Sequence, residues 1–256
     1  MRTERLVSRH LPVPLAWLML QCLLLGLGAM SLGWNAIALL LYPVLPRPQG
    51  LRLGRAGIAR GYRIFWAVAR ASGLLRMDAQ ALKPLADERG LIVVANHPSL
   101  LDALMLVAQL PRSACVMKAS LMRNPFLGPG ARLARYIRND SPRQMVRLAV
   151  EDLRAGGQLV MFPEGTRTTR APINPLQPGF ALIARRAGVP VQVVFIDTTS
   201  PYLAKGWPLW RLPPLPIEFS VRLGRRFEAG AHLPTLVGEV ERHLGAGARP
   251  APRARP

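Results

Sequence analysis

The stretch "LIVVANHPSLLD", residues 91–102, decides the fold. Five apolar residues, three of them β-branched, run up to Asn96 and His97. A short apolar run without alternation, closed by a turn, reads as a strand buried on both faces. Pro98 lacks an N–H and ends the strand. "SLLD" then opens a helical pattern that reaches about residue 110. Strand, turn and helix follow one another within twenty residues.

The same succession recurs downstream. Apolar strands are expected at 114–118 (ACVMK), 158–163 (QLVMFP) and 190–196 (PVQVVFI), with helical patterns near 121–135, 142–155 and 179–187. Apolar strands joined by helices imply an α/β fold with a mostly parallel central sheet flanked by helices. "IEFSVRLGRRF" at 217–227 alternates apolar and polar residues, which suits an edge or a mixed pairing. "LPTLVGEVERHLG" at 233–245 reads as a closing helix.

In open α/β sheets ligands gather beyond the carboxyl ends of the strands. His97 closes the first strand, and Asp102 lies about one turn into the next helix. Helical side chains lean back toward the helix start, so Asp102 can reach one imidazole nitrogen and leave the other free for a substrate proton. That arrangement is an oriented base without a nucleophile of its own. Ser99 stands beside it, but no G-x-S-x-G elbow surrounds it. A second polar cluster, "FPEGTRT" at 162–168, follows the 158–163 strand, so both clusters face one crevice. Gly165 permits a close backbone approach, and Arg167 carries a planar fork suited to a phosphate.

Ahead of this domain, residues 11–46 contain no Asp, Glu, Lys or Arg. One straight helix of that length would measure about 54 Å, well beyond a hydrocarbon core of ~30 Å. "SLGWN" at 31–35 offers a break, which predicts an apolar two-helix membrane hairpin with arms near 15–30 and 35–45. Arginines flank both sides (Arg2, Arg5 and Arg9 in front; Arg47, Arg52, Arg55, Arg60 and Arg63 behind), which keeps both ends on the cytoplasmic face. The apolar run continues past any cleavage point near Ala29, unlike a secretory signal. Residues 54–76 follow as an amphipathic helix suited to the head-group level.

The net charge is +20, and of 34 basic residues three are lysine: Lys83, Lys118 and Lys205. Such a surface seeks anions. No aromatic-basic recognition motif accompanies the charge, so no nucleic-acid partner is expected. Cys22 and Cys115 form no disulfide framework or zinc spacing, and one histidine with scattered carboxylates makes no metal site.

The two polar blocks together resemble the glycerol-phosphate acyltransferase superfamily, in its lysophosphatidic acid acyltransferase-like branch. "NHPSLLD" (96–102) matches that family's NHxSxxD block, and "FPEGTRT" matches its FPEGTRS-type block, in the family's order. The resemblance covers about residues 50–227. It implies a membrane-bound transfer of an acyl group from acyl carrier protein or coenzyme A, as co-substrate and with no other cofactor, to a lysophospholipid hydroxyl. His97 and Asp102 would be the catalytic pair, and Asn96, Ser99, Glu164, Gly165, Thr166 and Arg167 would serve substrate binding. Two departures stand out. In "ARLARYIRND" (131–140) the family's Gly position falls near Arg135 and its phosphate-binding Arg near Asn139, with Arg138 one place early as its substitute. In the fourth block, Val193 stands where a second proline is usual. The acceptor expected by default is 1-acyl-glycerol-3-phosphate; a lyso-ornithine lipid or an aryl-polyene-type lipid is the alternative. The implied location is a bacterial inner membrane.

The expected organisation is a membrane hairpin at 1–50, an interfacial helix at 51–80, the α/β domain at 81–245 and a disordered basic tail at 246–256.

Overall fold

The computed structural model describes residues 11–230, 232–250 and 252. Two long helices come first, α1 (Val13–Leu41) and α2 (Arg47–Ala71). The α/β domain then runs β1 (Leu75–Asp78), β2 (Leu91–Ala95), α3 (Asp102–Gln109), β3 (Ser113–Met117), α4 (Gly128–Leu133) and β4 (Ile137–Arg138). It continues with α5 (Pro142–Arg154), β5 (Gln158–Met161), α6 (Gly179–Ala187), β6 (Val191–Thr198), β7 (Ile217–Phe227) and α7 (Leu233–Gly247). The strands form one sheet in the order β1-β7-β6-β2-β5-β3-β4. Every neighbouring pair is parallel except β6–β7.

β2 lies at the centre, and all five of its residues are buried. Leu91, Val93 and Ala95 face one apolar cluster with Phe65 and Trp66 of α2, Leu101 just before α3, and Met105 and Leu106 within it. Ile92 and Val94 face the other, built from α5, α6 and α7 through Val146, Phe180, Ile183 and Val240. A strand covered on both faces has no use for alternation, which explains the unbroken apolar run. β7 does alternate and makes the mixed pairing, antiparallel to β6. It is not an edge, because β1 pairs with its other side. β1 and the two-residue β4 carry too little pattern to be read from sequence.

The front of the chain differs from expectation. No break occurs at 31–35; α1 runs unbroken through Gly33 and Asn35. A glycine inside a helix costs only about 1 kcal/mol, and tertiary contacts offset it. Asn35 is buried, its Nδ2 donates to the carbonyls of Ser31 and Phe126, and its Oδ1 accepts from Gly130 N in the first turn of α4. The turn comes instead between Leu41 and Arg47, where Pro43 and Pro46 deny the helix its donors. The second arm of the hairpin is therefore α2, the amphipathic helix itself, which begins at Arg47 rather than 54. It packs closely on α1: a Cβ at Gly57 would collide with the indole of Trp34. Arg55 is not a solvated charge on that helix. Its guanidinium is buried, donating to the carbonyls of Ala134 and Arg112 and pairing with Asp152 at 2.7 Å. The segment expected as interfacial to residue 80 ends in β1, a strand of the sheet.

By length and composition α1 could cross a membrane, and only 11% of its most apolar window is buried. Its buried residues, Ala16, Leu20, Leu23, Asn35 and Ala38, nevertheless run nearly its whole length. At the other end α7 extends to Gly247, so the tail begins later than expected. Arg2, Arg5 and Arg9, like residues 251 and 253–256, lie outside the described residues.

Candidate active site

The carboxyl ends of β2 and β5 are neighbours, with Val94 level with Met161. The segments that leave them, 96–101 and 162–168, therefore start side by side. Asn96 extends the ladder past the end of β2: its Nδ2 donates to Ile196 O and its Oδ1 accepts from Ile196 N, both at 2.8 Å. This clamp fixes where His97 leaves the sheet.

His97 Nδ1 lies 2.9 Å from Asp102 Oδ2. The same oxygen accepts from Ser99 N at 2.7 Å, so the turn and the first helical residue lock each other. The ring stacks on Phe162, with centroids 4.1 Å apart. With Nδ1 taken, Nε2 is the nitrogen left for a ligand. Asp102 is fully buried, and burial pushes its carboxyl above the ordinary carboxylate value while the imidazole and Ser99 N pull it back. Its Oδ1 has no partner.

A stability profile follows with a definite sign. A carboxyl whose folded value is raised costs stability as pH climbs through its unfolded value toward its folded one. Below that window the cost is absent, and above it the cost is complete. Asp102→Asn removes the ionisation, so the variant should gain on the natural chain in thermal midpoint as pH rises from about 4. Parallel midpoints for the two proteins across that range would contradict it.

Glu164 is nearly buried and binds three donors of its own protein. Oε1 accepts from His97 N (3.0 Å) and Thr168 Oγ1 (2.7 Å), and Oε2 accepts from Asn174 N (2.8 Å). Thr168 N returns a bond to His97 O. The carboxylate thus ties the two loops together instead of lining the crevice. Gly165 turns the chain with φ 68°, where only glycine is at ease. Asn174 caps the loop, its Oδ1 accepting from Thr169 N, Thr169 Oγ1 and Arg170 N.

His97 lines a cavity of about 740 Å³. Gly165, Thr166 and Arg167 line it, and so do Lys118, Asn139 and Lys205. It extends between α1 and α2 along Met30, Trp34, Gly61 and Tyr62, with Cys115 and Tyr136 from the sheet side. Burial pushes the Cys115 thiol up to about 12, so it contributes an uncharged wall and no thiolate.

Of the residues expected at the site, His97, Gly165, Thr166 and Arg167 meet at this cavity. Asn96, Ser99, Asp102 and Glu164 do not line it and act through hydrogen bonds behind it. Ser99 is fully buried with Oγ donating to Tyr202 O at 2.9 Å, which takes it away from substrate. Arg167 is partly engaged: Nη1 donates to the carbonyls of Leu203 (2.8 Å) and Ala204 (3.0 Å). Leu203 has φ 56°, a costly conformation for leucine, and its carbonyl also accepts from Leu100 N. Arg138 stands outside the lining, exposed and 3.6 Å from Asp140, whereas its neighbour Asn139 lines the cavity. Arg135, near the position where the motif resemblance implies a glycine, has φ 55°, which costs a non-glycine residue about 1–2 kcal/mol.

Sequence reading did not single out Lys118, Lys205 or Asn174. The lysines carried a faint signal, as two of only three in an arginine-rich chain. Asn174 carried none.

Residues 76–197 match the family described as Acyltransferase. A 1-acyl-sn-glycerol-3-phosphate acyltransferase of Pseudomonas aeruginosa is 22% identical over 228 residues, 86% of this chain and 84% of that protein. A protein of the same name from Limnanthes douglasii is 30% identical over 133 residues, and the chain covers 47% of its length. The crystal structure of the 1-acyl-sn-glycerophosphate (LPA) acyltransferase from Thermotoga maritima shares the fold, with TM-score 0.63 and 19% identity over 91% of this chain and 95% of that one.

Proposed function

We propose, from the premise that this chain is an acyltransferase of the lysophosphatidic acid acyltransferase-like superfamily, that it acylates the free hydroxyl of 1-acyl-glycerol-3-phosphate to give phosphatidic acid. The donor is an acyl thioester of carrier protein or coenzyme A. The observation that carries this reading is the His97–Asp102 pair, 2.9 Å apart, with His97 in the wall of a largely apolar cavity.

In the reaction His97 Nε2 takes the hydroxyl proton as the acceptor oxygen attacks the thioester carbon. Asp102 holds the ring tautomer through Nδ1 and stabilises the imidazolium. The tetrahedral intermediate collapses, the carbon–sulfur bond breaks, and the leaving thiolate takes the proton from the imidazolium. No acyl-enzyme forms. Lys118 and Lys205 are exposed, and both line the cavity, as does Arg167. Three cations there favour an acceptor with an anionic head, such as a phosphate monoester.

The apolar α1 attaches the enzyme to a bilayer. Because one side of α1 is packed along nearly its whole length, it enters one leaflet in company with the domain rather than crossing alone. The arginines on both sides of the apolar run support a domain on the cytoplasmic face, in a bacterial inner membrane.

The deciding experiment is product analysis by mass spectrometry with the purified full chain, acyl-coenzyme A or acyl carrier protein thioester, and a lysolipid panel. Phosphatidic acid as the main product supports the proposal. Preference for a lyso-ornithine lipid replaces the acceptor, and no acylation of any lysolipid with either donor overturns the reading.

A further inference from the structure

The segment between β6 and β7, residues 199–216, is a proline-rich loop with two tryptophans, Trp207 and Trp210. Its place in the fold is unusual, because its tip rests on α1. Trp17 Nε1 donates to Trp210 O at 2.7 Å, and Gln21 Nε2 donates to Leu209 O at 3.1 Å. The backbone of the tip is thus held by two donors from a mostly apolar helix. Meanwhile its side chains point away: Trp210 is 73% exposed and Leu209 54% exposed. They continue the exposed apolar face of α1, where Leu18 and Trp17 are also bare.

We propose that the loop tip, Leu209–Trp210, is a second lipid-contacting element, seated at the boundary between head groups and acyl chains of the bilayer that α1 enters. The proposal rests on the membrane reading given above. Three features select lipid as the occupant. Irregular backbone beside an apolar helix is tolerated at bilayer depth only when its polar groups are satisfied, and Trp17 and Gln21 do that for two carbonyls. Tryptophan is enriched at the membrane–water interface, where its ring is apolar and its N–H polar. The patch is continuous with the face of α1, and a net charge of +20 complements an anionic bilayer.

The base of the same loop reaches the site. Arg167 holds the carbonyls of Leu203 and Ala204, Ser99 Oγ donates to Tyr202 O, and Lys205 lines the cavity. One short segment therefore joins the lipid surface to both site loops. Seating Trp210 in lipid fixes the cavity opening against the surface from which a lysolipid must enter.

The test uses the full chain with vesicles of phosphatidylcholine and phosphatidylglycerol that contain phosphatidylcholine brominated near the top of the acyl chain. Tryptophan quenching is compared between the natural chain and Trp210→Phe, which keeps an exposed aromatic residue and leaves the fold intact. The expected result is a measurable loss of quenched intensity in the variant. Leu209→Ser with Trp210→Ser should also raise the apparent KM for an acceptor presented in vesicles by about tenfold, with little change for the same acceptor in detergent micelles. Vesicle binding with equal quenching in both proteins overturns the loop assignment and leaves the membrane reading standing. Failure of the natural chain to bind vesicles overturns both. Protection of Trp210 from aqueous iodide without lipid, growing with protein concentration, assigns the tip to a second copy of the chain and overturns the proposal.

Discussion

Replacement of His97 by alanine is expected to lower turnover by about 10²–10⁴-fold, the usual worth of a positioned base. The loss should appear in kcat with either acyl donor, because the role proposed for His97 is on the acceptor hydroxyl. The fold should persist, with some loss of stability because buried Asp102 loses the imidazole that offsets its burial. His97 contributes a stacking contact to Phe162 and one hydrogen bond to Asp102, and its removal leaves Asp102 Oδ2 still bound by Ser99 N. Circular dichroism separates the two effects. A well-folded variant with near-normal turnover would remove His97 from the base role.

The second large effect is expected at Glu164, for a different reason. Alanine there leaves His97 N and Asn174 N without their acceptor. Buried donors left unpaired cost about 1–3 kcal/mol each, so the variant should lose about 3 kcal/mol of stability. For a chain of this length that lowers the thermal midpoint by roughly 6–12 °C. Turnover should fall by about 10²-fold as well, since the His97 turn is no longer tied to the 164–174 loop and small misplacements of a reacting group are costly. Glutamine should not rescue it: its amide nitrogen would face a backbone N–H where the carboxylate now accepts. Calorimetry and initial rates on both variants check this. A stable Ala variant, defective only in acceptor KM, would return Glu164 to the substrate-contacting role that the motif resemblance implies.

These two residues mark the division between what was legible in the sequence and what was not. The 91–102 stretch could be read because its contacts are local. A buried strand is an apolar run, a proline stops it, and Asp102 sits five residues from His97, within one turn and one helical step. The strands at 158–163, 190–196 and 217–227 were readable on the same ground, as was the helix at 179–187. Neighbouring residues in sequence write these features, so no knowledge of the tertiary fold was needed.

The rest was set by distant partners. Gly33 and Asn35 look like a helix break until Asn35 meets Phe126 and Gly130, some ninety residues on, and the helix continues. Arg55 looks like a surface charge until Asp152 is placed beside it. Glu164, Ser99 and Arg167 look like substrate ligands because the motif holds polar groups together. The fold turns the first two inward, to His97, Asn174 and Tyr202, and divides the third between the cavity and the Leu203 carbonyl. By itself the sequence determined the α/β order and the pairing of His97 with Asp102. Only the tertiary structure decided which polar side chains face the cavity and which hold the walls. A side chain's hydrogen bonds depend on what the sheet brings within 3 Å of it, and composition and spacing do not encode that.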